Sequence, residues 1–345
     1  MTGTRLGVLV AALALVLATL GVAPTYAGDG SSSQHPAQYS AKRSVQQQKR
    51  IVVKWQGFQK RPKYQKTADV PGIGQVDLVC RPNSTMIRLH ANDRRAETQM
   101  WMAKLETKDG SDRVAVKNVR VFTYATAADD GKGGTSAQAH EGLNQKSPIE
   151  DFEKGSAYGV ISQRPGRNQP GGGPLALPAT TFKLTWYWER FAYPGSQYCK
   201  MTLALRTDTD QQFGLSWHGD DEAATRQTGA TTIPGFGEAQ LRCETGRQGQ
   251  QTVALKTDDP ESYMDYEYVR GEGLVSEHVD HYSDLAWDPV TGLLGPVDLP
   301  TNGMMRIWWS VNGVKRLWVL SSYMVVNNEA RPFLNACEVA AAPLR

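Results

Sequence analysis

Three observations predict an all-β chain of two tandem, related antiparallel β-sandwich domains, immunoglobulin-like or jelly-roll-like in topology. Segments alternating apolar and polar residues recur along the chain, two motifs return in the same order in its second half, and four cysteines fall at corresponding places in the two copies. Short strands separated by Gly, Pro, Asp and Asn are the pattern of sandwiches and barrels.

The repeat organises the chain. Val52-Val53-Lys54-Trp55-Gln56-Gly57 returns as Gly214-Leu215-Ser216-Trp217-His218-Gly219, and Val70-Pro71-Gly72-Ile73-Gly74 returns as Ile233-Pro234-Gly235-Phe236-Gly237. In both copies the second motif runs on through a strand-like segment to a cysteine, Cys80 or Cys243. Met100 pairs in the same way with Met264. Pro174-Leu175-Ala176-Leu177-Pro178 is answered by Pro296-Val297-Asp298-Leu299-Pro300, and a Trp-rich segment follows each. Motifs kept in one order mark a duplicated unit, which puts the domains at 51–210 and 211–341. The glycines of the Pro-Gly-x-Gly motif suit a tight turn before the cysteine strand, because glycine takes positive φ at no steric cost.

The strands themselves read from period two. Phe182, Leu184, Trp186 and Trp188 alternate with Lys183, Thr185 and Tyr187, and Met305, Ile307, Trp309 and Val311 form the matching apolar face in the second copy. Tyr187 and Trp308 point away from those faces and are candidates for stacking on a sugar ring or anchoring a protein partner. Asn312-Gly313 between Val311 and a new apolar run predicts a type I′ hairpin. No segment after the N-terminal apolar stretch holds a helical period. Residues 125–173 of the first copy, rich in Gly, Asp, Ser and Gln, have a much shorter counterpart in the second and read as a long loop insert.

The N-terminus reads as an export signal. Arg5 precedes seventeen uncharged residues, 6–22, and Thr25 and Ala27 suit a signal peptidase, so 1–27 is expected to be cleaved. The stretch is short for a bilayer span. The mature protein is therefore expected to be secreted, extracellular or associated with the cell envelope, with no transmembrane segment. Four cysteines without a CxxC pair suit two structural disulfides in that setting. Symmetry between the copies pairs Cys80 with Cys199 and Cys243 with Cys337.

The net charge of +3 conceals an asymmetry. Nine basic and no acidic residues lie between Lys42 and Lys66, so the remainder is net acidic. Residues 28–50 are expected to form a flexible Ser/Gln-rich basic linker. Lys49, Arg50, Lys60, Arg61 and Lys63 are candidate contacts for a polyanion such as an anionic cell-wall polymer. Nucleic acid is not the expected partner, because no recognition motif is present.

Catalytic signatures are absent from the sequence: there is no GxSxG and no Ser-x-x-Lys. Ser216 and His218 share a strand face, but adjacency of an Asp is not triad geometry. The densest set of ligand-type residues is Glu277, His278, Asp280 and His281; a straight strand puts only His278 and Asp280 together on one face, so they stand as the nearest candidates for metal ligands. No cofactor or metal is expected. These features point to an exported, non-enzymatic binding or structural protein that meets a cell-surface glycan, a cell-wall polymer or a protein. The alternative is a secreted hydrolase of an extracellular polysaccharide, whose paired carboxylates would come from distant strands.

Overall fold

A first seven-stranded sheet orders β1 (Gln46–Gln56), β11 (Tyr198–Asp208), β10 (Thr180–Glu189), β8 (Phe152–Arg164), β5 (Glu97–Lys108), β6 (Ser111–Val121) and β17 (Glu272–Leu274). It packs on a four-stranded sheet of β2 (Gln65–Val70), β3 (Gly74–Arg81), β4 (Ser84–Ala91) and β7 (Gln138–Gly142), with the core between them. A second seven-stranded sheet orders β18 (Val279–Ala286), β16 (Tyr263–Val269), β20 (Asn302–Val311), β21 (Val314–Val325), β22 (Ala336–Pro343), β12 (Phe213–His218) and β9 (Gly171–Gly173). Its four-stranded partner is β13 (Arg226–Ile233), β14 (Gly237–Glu244), β15 (Gln250–Lys256) and β19 (Leu293–Asp298). This computed structural model describes residues 45–82, 84–93, 96–108, 110–121, 137–143, 152–164, 171–173, 178–218, 226–244, 250–325 and 335–344. The expected signal segment 1–27 lies outside them, as do 28–44 of the expected linker.

Every strand pair among the described residues is antiparallel. The two large sheets follow one order, β1-β11-β10-β8-β5-β6 and β12-β22-β21-β20-β16-β18. The small sheets do likewise, β2-β3-β4-β7 and β13-β14-β15-β19. Each repeated Pro-Gly makes the same turn: Ile73 N–H donates to Val70 O and Phe236 N–H to Ile233 O, with Gly72 and Gly235 at φ 73° and 79°. Pro followed by a positive-φ Gly is the type II arrangement. The next glycine serves a close approach, since a Cβ on Gly74 would stand 1.9 Å from His90 O and one on Gly237 2.2 Å from Lys256 O.

The disulfides are Cys80–Cys199 and Cys243–Cys337, each with a Cα separation of 6.5 Å. Trp55 lies opposite Cys199 in the ladder, and Trp217 opposite Cys337. The Asn312-Gly313 turn closes β20 onto β21 with φ of 50° and 70°. Phe182, Trp186, Trp188, Trp309 and Trp318 are buried.

Four expectations change. The flexible linker does not extend to residue 50, because β1 begins at Gln46 and pairs residue by residue with β11 from Asp208. The 125–173 segment is not one loop. It supplies β7, the thirteen-residue β8 in the middle of the first large sheet, and β9. Composition hid β8 because its core face carries Gly155 and Gly159, which leave room for Trp186 and Phe182 directly opposite on β10. By sheet position β20 therefore matches β8, and the Trp-rich β10 matches β21. Finally, the boundary at 210/211 is crossed in both directions: β9 pairs with β12, and β17 pairs with β6.

The outer faces of the two large sheets meet over part of their area. Trp101, Ala103, Val114, Tyr158 and Val160 pack against Val269, Met304, Val319, Ala340, Ala342 and Leu344. Buried polar pairs accompany them: Gln99 Nε2 donates to Glu338 at 2.7 Å, and Tyr158 OH to Glu267 at 3.2 Å. Glu267 also receives both Arg306 Nε, at 2.8 Å, and Arg306 Nη2, at 2.5 Å.

Candidate functional site: an open cationic sheet face

Strand alternation gives the first large sheet an inner face for the core and an outer face. Along β1, Trp55, Val53 and Ile51 point inward, so Arg50, Val52, Lys54 and Gln56 point outward. The register extends each outward residue into a row across β11, β10 and β8. One row runs Arg50, Ala204, Lys183, Tyr158; the next Val52, Thr202, Thr185, Ser156; the next Lys54, Lys200, Tyr187, Lys154; and the last Gln56, Tyr198, Glu189, Phe152. Tyr158 and Val160 lie under the second large sheet, whereas Arg50, Lys54, Lys154, Lys183, Lys200 and Phe152 are exposed.

This face gathers five cations from four strands. None of the five has an acidic partner within ion-pair distance among the described residues. Lys54 stands directly opposite Lys200, a like-charge cross-strand pair that works against the sheet. Strand spacing of about 4.8 Å and a rise of about 3.3 Å per residue confine the five to a patch roughly 14 Å by 13 Å. Arg206 adds a sixth cation at the β1–β11 end, held by Asp208 at 2.8 Å. Arg50, Lys183, Arg206 and Leu344 line a shallow cavity of about 260 Å³ there.

The opposite end of the face is aromatic. Tyr187 lies between Phe152 and Tyr198, with ring centroids 6.1 Å and 5.9 Å away. The Tyr187 hydroxyl donates to Glu189 at 2.5 Å. That hydrogen bond, with a smaller effect of burial, pushes its pKa up to about 12, so it is a neutral phenol at physiological pH. Beyond Gln56 the chain turns through Phe58, which meets Tyr193 edge-on at 5.4 Å, into the exposed loop that carries Lys60, Arg61 and Lys63.

The structure thus brings together Arg50 and Tyr187 on one face, puts Lys49 at the rim of its cavity, and attaches Lys60, Arg61 and Lys63 to its aromatic end. Trp308 belongs elsewhere. It is half-buried on the outer face of the second large sheet, with the Arg306 guanidinium 5.2 Å from its ring. Sequence reasoning missed Lys154, Lys183 and Lys200, whose only signal was the outward parity of their strands.

His278 and Asp280 do not share a strand face. His278 ends a single helical turn, Val275–His278, and its Nδ1 contacts Arg270 O at 2.6 Å, while Asp280 pairs with the Arg270 guanidinium at 2.8 Å. Gly271 and Gly273, with φ of 78° and 156°, lie between β16 and this turn. Among the described residues no three His, Cys, Asp or Glu side chains are placed to hold one metal ion. No described helix is long and apolar enough to cross a membrane.

Comparison with known proteins adds no relative: no family model, curated protein or solved structure matches the chain.

Proposed function

We propose that this is an exported, non-enzymatic binding protein whose open sheet face takes an acidic polysaccharide of the cell surface or cell wall. One observation carries the reading: five cations from four strands share one exposed patch, with no acidic partner within ion-pair distance among the described residues. Placing Lys54 opposite Lys200 costs stability, and an anionic occupant removes that cost. A flat cationic surface attracts a polymer with repeated negative charge. The row of Phe152, Tyr187 and Tyr198 supplies ring faces and edges for stacking on sugars, which a purely electrostatic surface lacks. The two disulfides and the leader-like segment 1–27 support an exported setting.

Titration calorimetry with polygalacturonate, against neutral dextran, tests the proposal. Binding to polygalacturonate is expected to weaken as salt rises, since exposed charges are screened over about 8 Å at physiological ionic strength. Lys200→Glu combined with Lys54→Glu should lower affinity by about tenfold or more. Dextran binding as tight as polygalacturonate binding, or indifference to the charge reversals, would sink the reading. So would equal affinity for single-stranded DNA that Tyr187→Ala leaves unchanged.

A further inference from the structure

The second half of the chain carries a tyrosine-lined cleft, two of whose tyrosines are not repeated at the equivalent positions of the first half. An open cleft of about 550 Å³ lies between β16 with the residues that follow it, Tyr282 of edge strand β18, and residues 298–302 at the end of edge strand β19. Tyr266 and Tyr282 stack in it with centroids 4.7 Å apart and planes 15° from parallel, and Tyr268 stands edge-on to both at 5.3 Å and 5.6 Å. A register shift between β16 and β18, after Met264, places Tyr282 beside Tyr266, and Asp284 N–H is held by the Asp265 carboxylate at 3.0 Å. Such bulges re-aim side chains at sheet edges. With Met100 equivalent to Met264, the first half has Met102 and Lys104 where the cleft has Tyr266 and Tyr268. Met102 is buried in the core, and Lys104 is tied to Glu141 at 3.1 Å. Tyrosine at these two strand positions is therefore particular to the second half, where Tyr268 also packs in the core.

We infer that this cleft is a binding site for a neutral, hydroxyl-rich pyranose ring of a glycan. Tyr282, 42% exposed, is the outer member of the stacked pair and offers its free face as the next layer of the stack. The polar rim selects the ligand. Arg270, which lines the cleft, is paired from outside it with Asp280 at 2.8 Å, and Asp298 supplies the lining carboxylate, whose Oδ1 accepts from Gln250. Asp298 keeps a carboxylate oxygen to accept from a ligand, and the Arg270 guanidinium keeps N–H groups beyond those it gives Asp280. Adjacent sugar hydroxyls, each a donor and an acceptor, meet both, and the two charged lining residues, Arg270 and Asp298, balance, so the lining calls for no net charge on the ligand. The cavity is of the size that encloses small ligands. The site does not depend on the cationic face, which lies on the first large sheet.

Ligand-observed saturation-transfer NMR on the mature protein, with cellohexaose, xylohexaose and N-acetylchitohexaose as probes, tests it. At least one neutral oligomer is expected to bind saturably, and to bind equally well to the Lys54→Glu/Lys200→Glu protein. Tyr282→Ala should weaken that binding about tenfold, the order of a lost stacking contact together with its buried area. Tyr282→Phe, which keeps the ring and the fold, should bind within about threefold of the parent. Asp298→Asn should bind more weakly than the parent. No binding of any of the three probes up to about 10 mM, weaker than any specific site of this size would give, would overturn the inference. Binding indifferent to Tyr282→Ala, or restricted to a cationic amino sugar such as glucosamine, would overturn it equally.

Discussion

Replacing Gly155 by alanine should destabilise the protein by about 1–3 kcal/mol, the usual cost of overpacking a well-filled core. The cost follows from what the new methyl group would meet. A Cβ at 155 would lie 2.2 Å from Trp186 Cζ2, 2.6 Å from Cε2 and 2.8 Å from Cη2, where carbon atoms prefer about 3.5–4.0 Å. The indole cannot retreat cheaply, because Trp186 is 3% exposed and belongs to the first core. Restricting the unfolded chain would return only about 0.4–1 kcal/mol. The sign is the discriminating quantity. If 152–164 were part of a surface loop, Gly155→Ala would be neutral or stabilising. Gly142, in the same 125–173 segment, is the control: a Cβ there has no neighbour within 4 Å. Gly142→Ala should therefore leave stability unchanged or raise it by up to about 1 kcal/mol. Urea unfolding of both variants, read as a shift in midpoint at unchanged slope, measures the difference. A Gly155→Ala protein as stable as its parent would refute the placement of β8 against β10.

Two further outcomes follow from the small sheets and their links to the large ones. Replacing Cys243 and Cys337 by alanine should cost about 4–5 kcal/mol in the chain-entropy account, because the bridge spans 94 residues; urea unfolding under non-reducing conditions reads it, and a loss below about 1 kcal/mol would contradict a structural role. Asp77 is buried, which opposes its ionisation, yet hydrogen bonds from Thr67, His90 and Arg88 outweigh burial and hold its pKa below the usual carboxylate value. A depressed pKa contributes stability above the unfolded value, near 3.9, that is lost as pH falls through the folded value. Asp77→Asn should thus flatten the fall in melting temperature below about pH 4, and an unchanged acid limb would show that the cluster stores no such stability.

Much of the architecture was readable because neighbours in sequence report on one strand. The alternation of Phe182, Leu184, Trp186 and Trp188 named a buried face, and Asn312-Gly313 named a turn with two positive φ angles. Equivalent positions of Cys80 and Cys243 before the late cysteines singled out one of three pairings. β8 escaped because a strand packed under large neighbours carries small residues, and Gly155 and Gly159 look like loop composition when their partners Trp186 and Phe182 are unseen. The edge strands β9 and β17 are three residues each, too short to show a period, and each pairs with a strand from the other half of the chain. The cationic face was half legible. Arg50 sat in the basic stretch, but Lys154, Lys183 and Lys200 join it only through cross-strand register. The tyrosine cleft depends on the β16–β18 register shift and on two sheet edges, neither of which local patterning encodes.

The most direct test of the cationic face is lysine footprinting of the protein lacking residues 1–27, with and without polygalacturonate, by acetylation and mass spectrometry. Lys54, Lys154, Lys183 and Lys200 should be protected together, while Lys256, exposed on the second small sheet, should react as in the free protein. Protection of Lys256 to the same degree, or full reactivity of the four lysines at a polymer concentration that saturates binding, would contradict the account.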